Sequence, residues 1–487
     1  MRDLSTLGKR DSWEGVRAVV AGMGVSGFAA ADNLTHLGAS VTVLDDSEAG
    51  DRGDKGQLLE ILGATVRLGP GSTATLPDDV DLVVTSPGWR PDAPLLAQAA
   101  SQGVTVWGEV ELAWRLSHQG IPEAEQVPWL GVTGTNGKTT TVQMLDAMLR
   151  AGGLRSVAAG NVGLPLVEAV MDPEEYDVLA VELSSFQLHY THSLACESAV
   201  VLNVAEDHLD WYDGPTAVAD YAADKGRIYH HVSRACVYNV ADPVTEDLVR
   251  EAEVVEGARA IGFTLGVPAV GMLGVVDDVL ADRAFIEQRH HNAAELGTLA
   301  DLASPAPHFV ANALAAAALA RAHGVPPVAV RDGLRSFRPD GHRIAHVATV
   351  GEVDWVDDSK ATNPHAAASS LQAYEHVVWV AGGLAKGASF DTLVEQVRGR
   401  LRGVVLLGRD RAVIAAALER HAPDVPVIDV PAQDTGAMDL VVRAAASLAQ
   451  PGDTVLLAPG CASMDMFANY GARGDAFAES VLRLAGG

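Results

Sequence analysis

A glycine- and threonine-rich run between an apolar segment and a helical segment constrains this fold most. It reads Gly-Val-Thr-Gly-Thr-Asn-Gly-Lys-Thr-Thr-Thr over residues 131–141. Residues 127–132 predict a short buried strand, and residues 142–149 predict a helix. Strand, glycine loop and helix suit a triphosphate cradle, because N–H groups at a helix N-terminus point at phosphate oxygens. We expect Lys138 to reach the β- and γ-phosphates and Thr139 to place its hydroxyl on Mg²⁺.

The run departs from the strict phosphate-loop pattern at one position. That pattern has a glycine five residues before Gly137, where this chain has Val132. On this motif alone, a glycine-rich turn before an ordinary helix stays an open alternative.

Composition and charge narrow the function classes. The chain has 487 residues and a formal net charge of −28, which argues against a nucleic-acid binder and its basic face. Three scattered cysteines indicate a reducing compartment. The chain starts without a signal-peptide apolar region, and its apolar stretches are too short to span a bilayer. We therefore expect a cytoplasmic protein that does not enter a membrane.

Alternation of strand and helix patterns predicts an α/β protein with three domains. The expected domains are residues 1–117, Rossmann-like; residues 118–339, a central phosphate-loop type; and residues 340–487, again Rossmann-like. Polar stretches at 117–126 and 338–340 are the candidate hinges. The segment 265–307 gives no clear pattern and is expected to be irregular.

A second glycine loop follows the first predicted strand. Gly22-x-Gly24-x-x-Gly27 precedes a helix, and Asp45 ends the next strand. This is the dinucleotide fingerprint in its usual context, so a nicotinamide-dependent oxidoreductase is one hypothesis. A glycine turn that only packs strand against helix is the alternative, and the downstream phosphate loop weakens the oxidoreductase hypothesis.

Polar side chains follow other predicted strands. Glu182 ends a strand and could bind Mg²⁺, and a solvated loop carboxylate is the open alternative. His208 could bind a metal, oriented by Asp207 or Asp210. Lys225 would ordinarily be a surface lysine. In the third segment, three turns at 357–364, 382–387 and 459–467 follow strands of one predicted sheet, and the carboxyl ends of such strands line ligand crevices.

Taken in order, these motifs resemble the Mur ligase family across nearly the whole chain. The matching runs are Gly-Thr-Asn-Gly-Lys-Thr at 134–139, Gly-Asn-Val-Gly at 160–163, Glu-Leu-Ser-Ser-Phe-Gln-Leu at 182–188, Asn-Val-x-Glu-Asp-His at 203–208, Tyr-x-x-x-Lys-x-Arg-Ile-Tyr at 221–229, Asp-Asp-Ser-Lys-Ala-Thr-Asn at 357–363 and Pro-x-Cys-Ala-Ser at 459–463. The family uses the shorter phosphate loop, which accounts for Val132. Gly460, where alanine is more usual, and the 265–307 insertion depart from the family pattern.

The resemblance implies an ATP-dependent ligase that adds D-glutamate to UDP-N-acetylmuramoyl-L-alanine through an acyl phosphate, in peptidoglycan precursor synthesis. A sister ligase with another amino acid is the nearest alternative. The implied cofactors are ATP and Mg²⁺ at two sites, and the implied state is a monomer. The first glycine loop would then hold uridine diphosphate.

The resemblance also assigns residues to each ligand. The catalytic group is Lys138, Glu182, His208 and Lys225. The ATP site comprises Gly134, Thr135, Asn136, Gly137, Lys138, Thr139, Thr140, Asn312, Arg343 and Asp358. The UDP-substrate site comprises Val25, Ser26, Gly27, Asp45, Asp46, Ser86, Asn161 and His208. The D-glutamate pocket comprises Thr362, Lys386, Ser463, Met464 and Phe467. The metal ligands are Thr139, Glu182, His208 and a carbamylated Lys225.

Overall fold

The first sheet is built from short apolar strands that helices cover on both faces. The computed structural model describes residues 4–208, 211–212, 214–339, 341–431 and 436–486. The strands are β1 (Arg17–Ala21), β2 (Ser40–Asp45), β3 (Thr65–Leu68), β4 (Leu82–Thr85) and β5 (Thr105–Gly108), and the helices are α1 (Val25–His36), α2 (Arg52–Leu62), α3 (Pro94–Ser101) and α4 (Glu109–His118). All pairs are parallel, in the order β3-β2-β1-β4-β5. Buried runs such as Ala18–Ala21 are typical of strands that are buried on both faces.

The second sheet carries the phosphate loop. Its strands are β6 (Trp129–Thr133), β7 (Ser156–Gly160), β8 (Val178–Glu182), β9 (Ser198–Val201), β10 (Ala235–Asn239), β11 (Arg259–Phe263), β12 (Met272–Val276), β13 (Val279–Asp282) and β14 (Ala294–Thr298), and its helices are α5 (Lys138–Ala151), α6 (Leu166–Met171), α7 (Ser185–His189), α8 (Ala217–Gly226), α9 (Pro243–Glu251), α10 (Pro307–His323) and α11 (Pro327–Ser336). The strand order is β14-β13-β12-β11-β10-β9-β6-β8-β7. The loops after β9, β6, β8 and β7 therefore leave neighbouring parallel strands at one edge of the sheet.

The expectation that residues 265–307 are irregular is wrong. They form β12, β13 and β14, which extend the second sheet as an antiparallel hairpin and a third strand. Val276 pairs with Val279, so the turn between β12 and β13 consists of Asp277 and Asp278. Asp277 has a φ of 55°, a left-handed conformation that aspartate tolerates better than most residues.

The third sheet has one antiparallel edge. Its strands are β15 (Ala345–Val350), β16 (Val353–Asp357), β17 (Val377–Gly382), β18 (Leu401–Leu407), β19 (Val427–Asp429) and β20 (Thr454–Leu457), and its helices are α12 (Pro364–Leu371), α13 (Asp391–Val397), α14 (Arg411–His421), α15 (Ala437–Leu448) and α16 (Tyr470–Gly486). The order is β15-β16-β20-β17-β18-β19, and only the β15–β16 pair among the described residues of this sheet is antiparallel. The three polar turns predicted from the sequence thus follow three adjacent strands, β16, β20 and β17.

Hydrophobic cores lie on both faces of the third sheet. Trp379 packs in one cluster with Leu393, whereas Val380, the next residue along β17, packs in the other cluster with Phe477. This alternation follows from the two-residue period of a strand. Short 3-10 helices complete the secondary structure at Leu4–Thr6, Glu123–Glu125, Arg227–Tyr229, Leu299–Asp301 and Arg398–Arg400.

The chain divides into two compact units. One comprises Met1–Val204, Ala219–Pro305 and Phe309–Phe337, and the other comprises Ala205–Val218, Ala306–His308 and Arg338–Gly487. The first and second sheets share the first unit. In this unit, the side-chain amide of Gln126, at the end of the predicted linker 117–126, donates hydrogen bonds to the carbonyls of His118 and Ile121. The three-domain boundaries stay a prediction, and Asp340, at one of them, lies outside the described residues. Over the described ranges, we find no helix that combines the length and the apolar character of a membrane span.

Candidate active site

The glycine loop after β1 is closely packed. A Cβ on Gly27 would lie 1.9 Å from the Gly22 carbonyl oxygen, so only glycine permits this approach. Asp45 accepts a hydrogen bond from the Met23 N–H at 2.7 Å and pairs with Arg52 at 3.2 Å. The Asp45 carboxylate therefore holds the loop from the neighbouring strand. Its predicted role toward a ribose or UDP group stays a prediction.

The other residues predicted for the UDP group differ in exposure. Val25 is exposed and Ser26 is half-buried at the start of α1. Asp46 accepts hydrogen bonds from the Thr73 hydroxyl and N–H, which lower the pKa of its carboxyl. The Ser86 hydroxyl lies 3.5 Å from the Gly22 carbonyl oxygen.

Sequence analysis missed one aromatic residue beside this loop. The indole nitrogen of Trp89 lies 3.0 Å from the position that a Gly22 Cβ would take. The Tyr190 hydroxyl, at the end of α7, donates to the Trp89 carbonyl at 2.7 Å. A turn of the first sheet is thus tied to a loop of the second.

The phosphate loop leaves β6 and enters α5 as predicted. Gly137 has a φ of 86°, and a Cβ there would lie 2.4 Å from the amide oxygen of the buried Asn312. Lys138 donates to the carbonyls of Gly134 and Thr135, each at 2.9 Å. Thr139 and Thr140 are buried in the first turn of α5. This is the strand–loop–helix geometry that binds phosphate, and Asn312 lies directly against it.

The loop is also held by the chain that follows β9. The Thr135 N–H donates to the Asn203 carbonyl at 2.9 Å, and the Asn136 N–H donates to the Asn203 amide oxygen at 2.9 Å. The Asn203 side-chain NH₂ donates back to the Asn136 carbonyl at 3.1 Å. Two backbone N–H groups predicted to face ATP are therefore engaged with Asn203, which sequence analysis had not assigned a role.

Glu182 is buried at the end of β8, next to β6. One carboxylate oxygen accepts a hydrogen bond from the Asn161 amide at 3.1 Å, and the other, also buried, has no hydrogen-bond partner. Burying an unsatisfied carboxylate oxygen is unfavourable, and a hard cation such as Mg²⁺ is the ligand that would satisfy it. The donor set therefore fits the implied metal at this position.

Lys225 is a buried residue of α8, so its interpretation as an ordinary surface lysine is wrong. Its side chain is 1% exposed, and its Nζ donates to the Gly134 carbonyl at 3.0 Å. The Nζ also lies 4.3 Å from the centre of the Tyr221 ring. The Tyr221 hydroxyl is 3.0 Å from the Thr135 hydroxyl. The structure thus brings Lys225 to the phosphate loop, and its role as a carbamylated metal ligand stays a prediction.

A cavity of about 220 Å³ lies in the second unit. Among its lining residues are three of the predicted site residues, His208, Thr362 and Lys386. His208 and Lys386 have φ values of 55° and 50°, left-handed conformations that are uncommon outside glycine and often occur at functional sites. The Asn363 amide donates to the Asp207 carboxylate at 3.3 Å beside them.

Metal ligation at His208 stays a prediction. Asp207 lies 3.7 Å from the His208 ring, and Asp210, the other suggested orienting group, lies outside the described residues. In the part of the chain that the structure describes, no three His, Cys, Asp or Glu side chains are grouped closely enough to hold a metal ion.

Asp358 is buried at the end of β16. Burial raises the pKa of its carboxyl to about 6, against hydrogen bonds from Ser370 and the Ile344 N–H and the charge of Arg343. Arg343 and Asp358 are thus electrostatically coupled within this unit.

The turn after β20 holds the remaining predicted residues. Ser463 is buried and Met464 is 65% exposed, whereas the Phe467 ring packs in the hydrophobic core. Of the five residues predicted to bind D-glutamate, only Thr362 and Lys386 line the 220 Å³ cavity. Gly460 has a φ of 66°, and a Cβ there would lie 2.8 Å from the Phe390 ring. That conformation explains why this chain has glycine there.

A buried arginine of α16 joins the three turns of this sheet. Arg473 is 1% exposed and donates to the Ser359 carbonyl at 2.8 Å and to the Cys461 carbonyl at 3.0 Å. The Gly382 carbonyl is a third acceptor at 3.5 Å. Sequence analysis missed this residue, because a single arginine in a helix carries no signal of burial.

Family models match all three segments of the chain. The descriptions are Mur ligase MurD-like, N-terminal domain, over residues 16–108; Mur ligase middle domain, over residues 132–320; and Mur ligase, glutamate ligase domain, over residues 342–461.

Several curated relatives are similar over almost their whole length. The UDP-N-acetylmuramoylalanine–D-glutamate ligase of Streptomyces avermitilis is 62% identical over 96% of this chain and 98% of its own. The ligases of the same name from Streptomyces coelicolor and Thermobifida fusca are 60% and 56% identical, each over 97% of this chain and 99% of their own.

Solved structures of distant sequence share the fold. The UDP-N-acetylmuramate–alanine ligase MurC of Thermotoga maritima aligns with a TM-score of 0.56 at 18% identity, over 96% of this chain and 99% of its own. The MurF ligase of the same organism, solved in complex with ADP, aligns with a TM-score of 0.54 at 18% identity over the full length of both. The three-domain α/β fold is thereby confirmed. With three matching family models and relatives of this identity, the chain belongs to the Mur ligase family.

Proposed function

We propose that this ligase joins D-glutamate to UDP-N-acetylmuramoyl-L-alanine and converts ATP to ADP and phosphate. The observation that carries the proposal is near full-length identity of 62% to a UDP-N-acetylmuramoylalanine–D-glutamate ligase. The buried phosphate-loop geometry around Gly137 and Lys138 supports the ATP requirement. The family match leaves no support for a nicotinamide-dependent oxidoreductase, and the relatives' shared name favours D-glutamate over another amino acid.

The reaction has two bond-forming steps. A carboxylate oxygen of the alanyl group attacks the γ-phosphorus, the bond to the β-phosphate oxygen breaks, and ADP leaves. The amine of D-glutamate then attacks the acyl carbon of the resulting acyl phosphate, expels phosphate and loses a proton. In both steps the acyl oxygen and the phosphoryl group carry charge that the site must stabilise.

The residues of the phosphate loop and its neighbours divide these tasks. The N-terminus of α5 and Lys138 offer positive charge to the phosphoryl group. Thr139, Glu182, His208 and a carbamylated Lys225 would hold Mg²⁺ in two sites, where it would supply charge neutralisation and alignment of the phosphates. Asn312, Arg343 and Asp358 are proposed for the adenosine part, and Gly134, Thr135, Asn136, Gly137 and Thr140 for the phosphates.

The remaining site residues are proposed to bind the other two substrates. Val25, Ser26, Gly27, Asp45, Asp46 and Ser86 are proposed for the UDP group, and Asn161 and His208 for the muramoyl part. Thr362, Lys386, Ser463, Met464 and Phe467 are proposed for D-glutamate. The cavity that joins Thr362 and Lys386 supports this last group best. We further propose that the enzyme acts as a cytoplasmic monomer.

Phosphate release tests the proposal. The enzyme is incubated with ATP, Mg²⁺ and UDP-N-acetylmuramoyl-L-alanine, and a panel of D- and L-amino acids is added one at a time. We expect rapid release of phosphate with D-glutamate and with no other amino acid of the panel. Lys138→Ala should lower this rate by roughly 10²-fold, whereas Lys55→Ala on α2 should not change it. Release that is equal with every amino acid, or faster with another one, would contradict the proposal.

A further inference from the structure

The phosphate loop needs restraint from outside its own sequence. Gly134 and Gly137 give the backbone freedom, with φ values of 153° and 86°, and glycines that are free in the unfolded chain are costly to order. Val132, where the longer motif has another loop glycine, is a buried residue of β6. The loop that enters α5 is therefore short, and its peptide planes must be fixed by neighbours if its N–H groups are to be aimed at phosphate.

Asn203 provides this restraint at the middle of the loop. Its side-chain amide accepts from the Asn136 N–H at 2.9 Å and donates to the Asn136 carbonyl at 3.1 Å. Its own carbonyl accepts from the Thr135 N–H at 2.9 Å. Three hydrogen bonds from one residue thus fix three consecutive peptide groups of the loop, those between residues 134 and 137.

The chemistry of this contact demands an amide. One side chain must accept and donate at the same time, and asparagine and glutamine alone do so with fixed geometry. Aspartate keeps the acceptor for the Asn136 N–H, but it places a second carboxylate oxygen against the Asn136 carbonyl. Alanine removes both hydrogen bonds and leaves the two backbone groups to find other partners.

The three hydrogen bonds of Asn203 also determine which backbone donors of the loop remain for a ligand. The N–H groups of Thr135 and Asn136 donate to Asn203, so these two N–H groups are satisfied within the protein. The first N–H groups of any helix have no intrahelical acceptor and are suited to an anion. The loop conformation that Asn203 fixes therefore directs phosphate to the N-terminus of α5 and Lys138.

We propose that Asn203 is a positioning residue for nucleotide binding, which sets the backbone of the phosphate loop without touching the nucleotide itself. This inference rests on the proposed function, because it assumes that the loop binds ATP. Loss of the Asn203 side chain raises the conformational entropy of the empty loop. It therefore weakens the binding of both ATP and ADP and leaves the D-glutamate pocket of the other unit unchanged.

Three variants test this inference: Asn203→Ala, Asn203→Asp and Asn239→Ala. Asn239, on β10, donates to the Leu202 carbonyl at 3.0 Å and so supports the same strand end, and its side-chain hydrogen bonds go to Leu202 and Ala241 instead of the loop. The readouts are the dissociation constant of ADP by titration calorimetry, the KM for ATP, the KM for D-glutamate and the nucleotide-free unfolding midpoint.

Compared with wild type, both Asn203 variants should bind ADP and ATP more weakly, by about tenfold or more. Their KM for D-glutamate should be unchanged. Asn239→Ala should lower the unfolding midpoint with wild-type ADP affinity. Wild-type ADP affinity in either Asn203 variant overturns the inference, and so does an equal loss of affinity in Asn239→Ala. If the wild-type enzyme itself does not bind ADP, the proposed function fails instead. Should Asn203→Ala not fold, the near-isosteric Asn203→Asp decides alone.

Discussion

Lys225 combines burial with a position beside the phosphate loop. Its Nζ lies against the Gly134 carbonyl and the Tyr221 ring, and its side chain is 1% exposed. An ammonium cation close to Mg²⁺ is electrostatically unfavourable, whereas a carbamate is an anionic oxygen ligand of the kind Mg²⁺ prefers. If Lys225 is carbamylated, its neutral amine would attack CO₂, an N–C bond would form, and a proton would be released to solvent.

We predict that Lys225→Ala loses most activity and that short carboxylic acids restore part of it, because they fill the vacated ligand position. Wild-type protein equilibrated with ¹³CO₂ should give a carbamate resonance that the variant lacks. Full activity of Lys225→Ala in CO₂-depleted buffer would show that the carbamate hypothesis is wrong.

Lys386 lies in the cavity of the second unit with a φ of 50°. We predict that Lys386→Ala raises the KM for D-glutamate about tenfold or more and leaves the KM for ATP nearly unchanged, because a carboxylate of the amino acid loses its cation. Lys386→Arg, which keeps the charge, should recover part of the affinity. Steady-state kinetics with each substrate varied in turn measures this, and an unchanged KM for D-glutamate would exclude Lys386 from the pocket.

Among the helices, α4 contacts α6 and the segment before β9 through two buried glutamates, Glu109 and Glu111, whose pKa values shift in opposite directions. Glu109 accepts a hydrogen bond from the Val167 N–H, near the N-terminus of α6, at 2.7 Å, and its other oxygen has no hydrogen-bond partner. Burial raises the pKa of the Glu109 carboxyl to about 7. Glu111 is equally buried, but the N–H groups of His192 and Ser193 and the Arg115 guanidinium outweigh burial and lower the pKa of its carboxyl.

The pH dependence of Glu109 follows from this raised pKa. Between about pH 4.5 and 7 the folded protein keeps the Glu109 proton that the unfolded chain releases, so the free energy of unfolding falls as pH rises through that window. The loss is at most roughly 3 kcal/mol. We predict that Glu109→Gln removes it, so the variant gains stability over wild type from pH 5 to pH 8 in thermal unfolding.

Glu111→Gln is the matched control on the same helix, with the opposite sign. It should be less stable than wild type at pH 8, and the gap should narrow only as pH falls below the ordinary pKa of glutamate. A gap for Glu109→Gln that stays constant from pH 5 to pH 8 would contradict the assigned pKa.

Elements with strong local signals were predictable from the sequence. Gly137 and Lys138 indicate the turn into α5, and the apolar run before Glu182 indicates β8. The hairpin of β12 and β13 was missed because its two-residue turn is Asp277-Asp278, which lacks the glycine of the usual hairpin signature. A Val-Val-Asp-Asp-Val-Leu pattern was the available signal.

Tertiary placement limited the prediction of the site. Lys225 and Asn203 give no sign in the sequence that they face the phosphate loop, because β9 joins β6 through pairing of distant segments. The family resemblance assigned Lys225 a role as a metal ligand. Only the structure shows that Asn203 holds the phosphate loop and that Arg473 joins three turns of the third sheet. Phe467 shows that a motif can also assign a residue to a site when the side chain packs elsewhere. It was assigned to the D-glutamate pocket, and its ring lies in the hydrophobic core.

At the scale of the whole molecule, each sheet presents polar loops from the carboxyl ends of neighbouring parallel strands. At or just after these strand ends, the first sheet carries Gly22 and Ser86, the second Lys138 and Glu182, and the third Asp358 and Lys386. This repeated placement agrees with a ligase that handles three substrates, because ligands of parallel α/β sheets bind at such edges. We propose that the ligase reaction passes through an acyl phosphate.

Oxygen transfer tests that claim most directly. UDP-N-acetylmuramoyl-L-alanine labelled with ¹⁸O in its alanyl carboxylate is turned over with ATP, Mg²⁺ and D-glutamate, and the released phosphate is analysed by mass spectrometry. The carboxylate oxygen that attacks the γ-phosphorus leaves with phosphate, so we predict one ¹⁸O atom in each phosphate and one in the amide product. Unlabelled phosphate, with its new oxygen taken from water, would contradict the acyl-phosphate reaction.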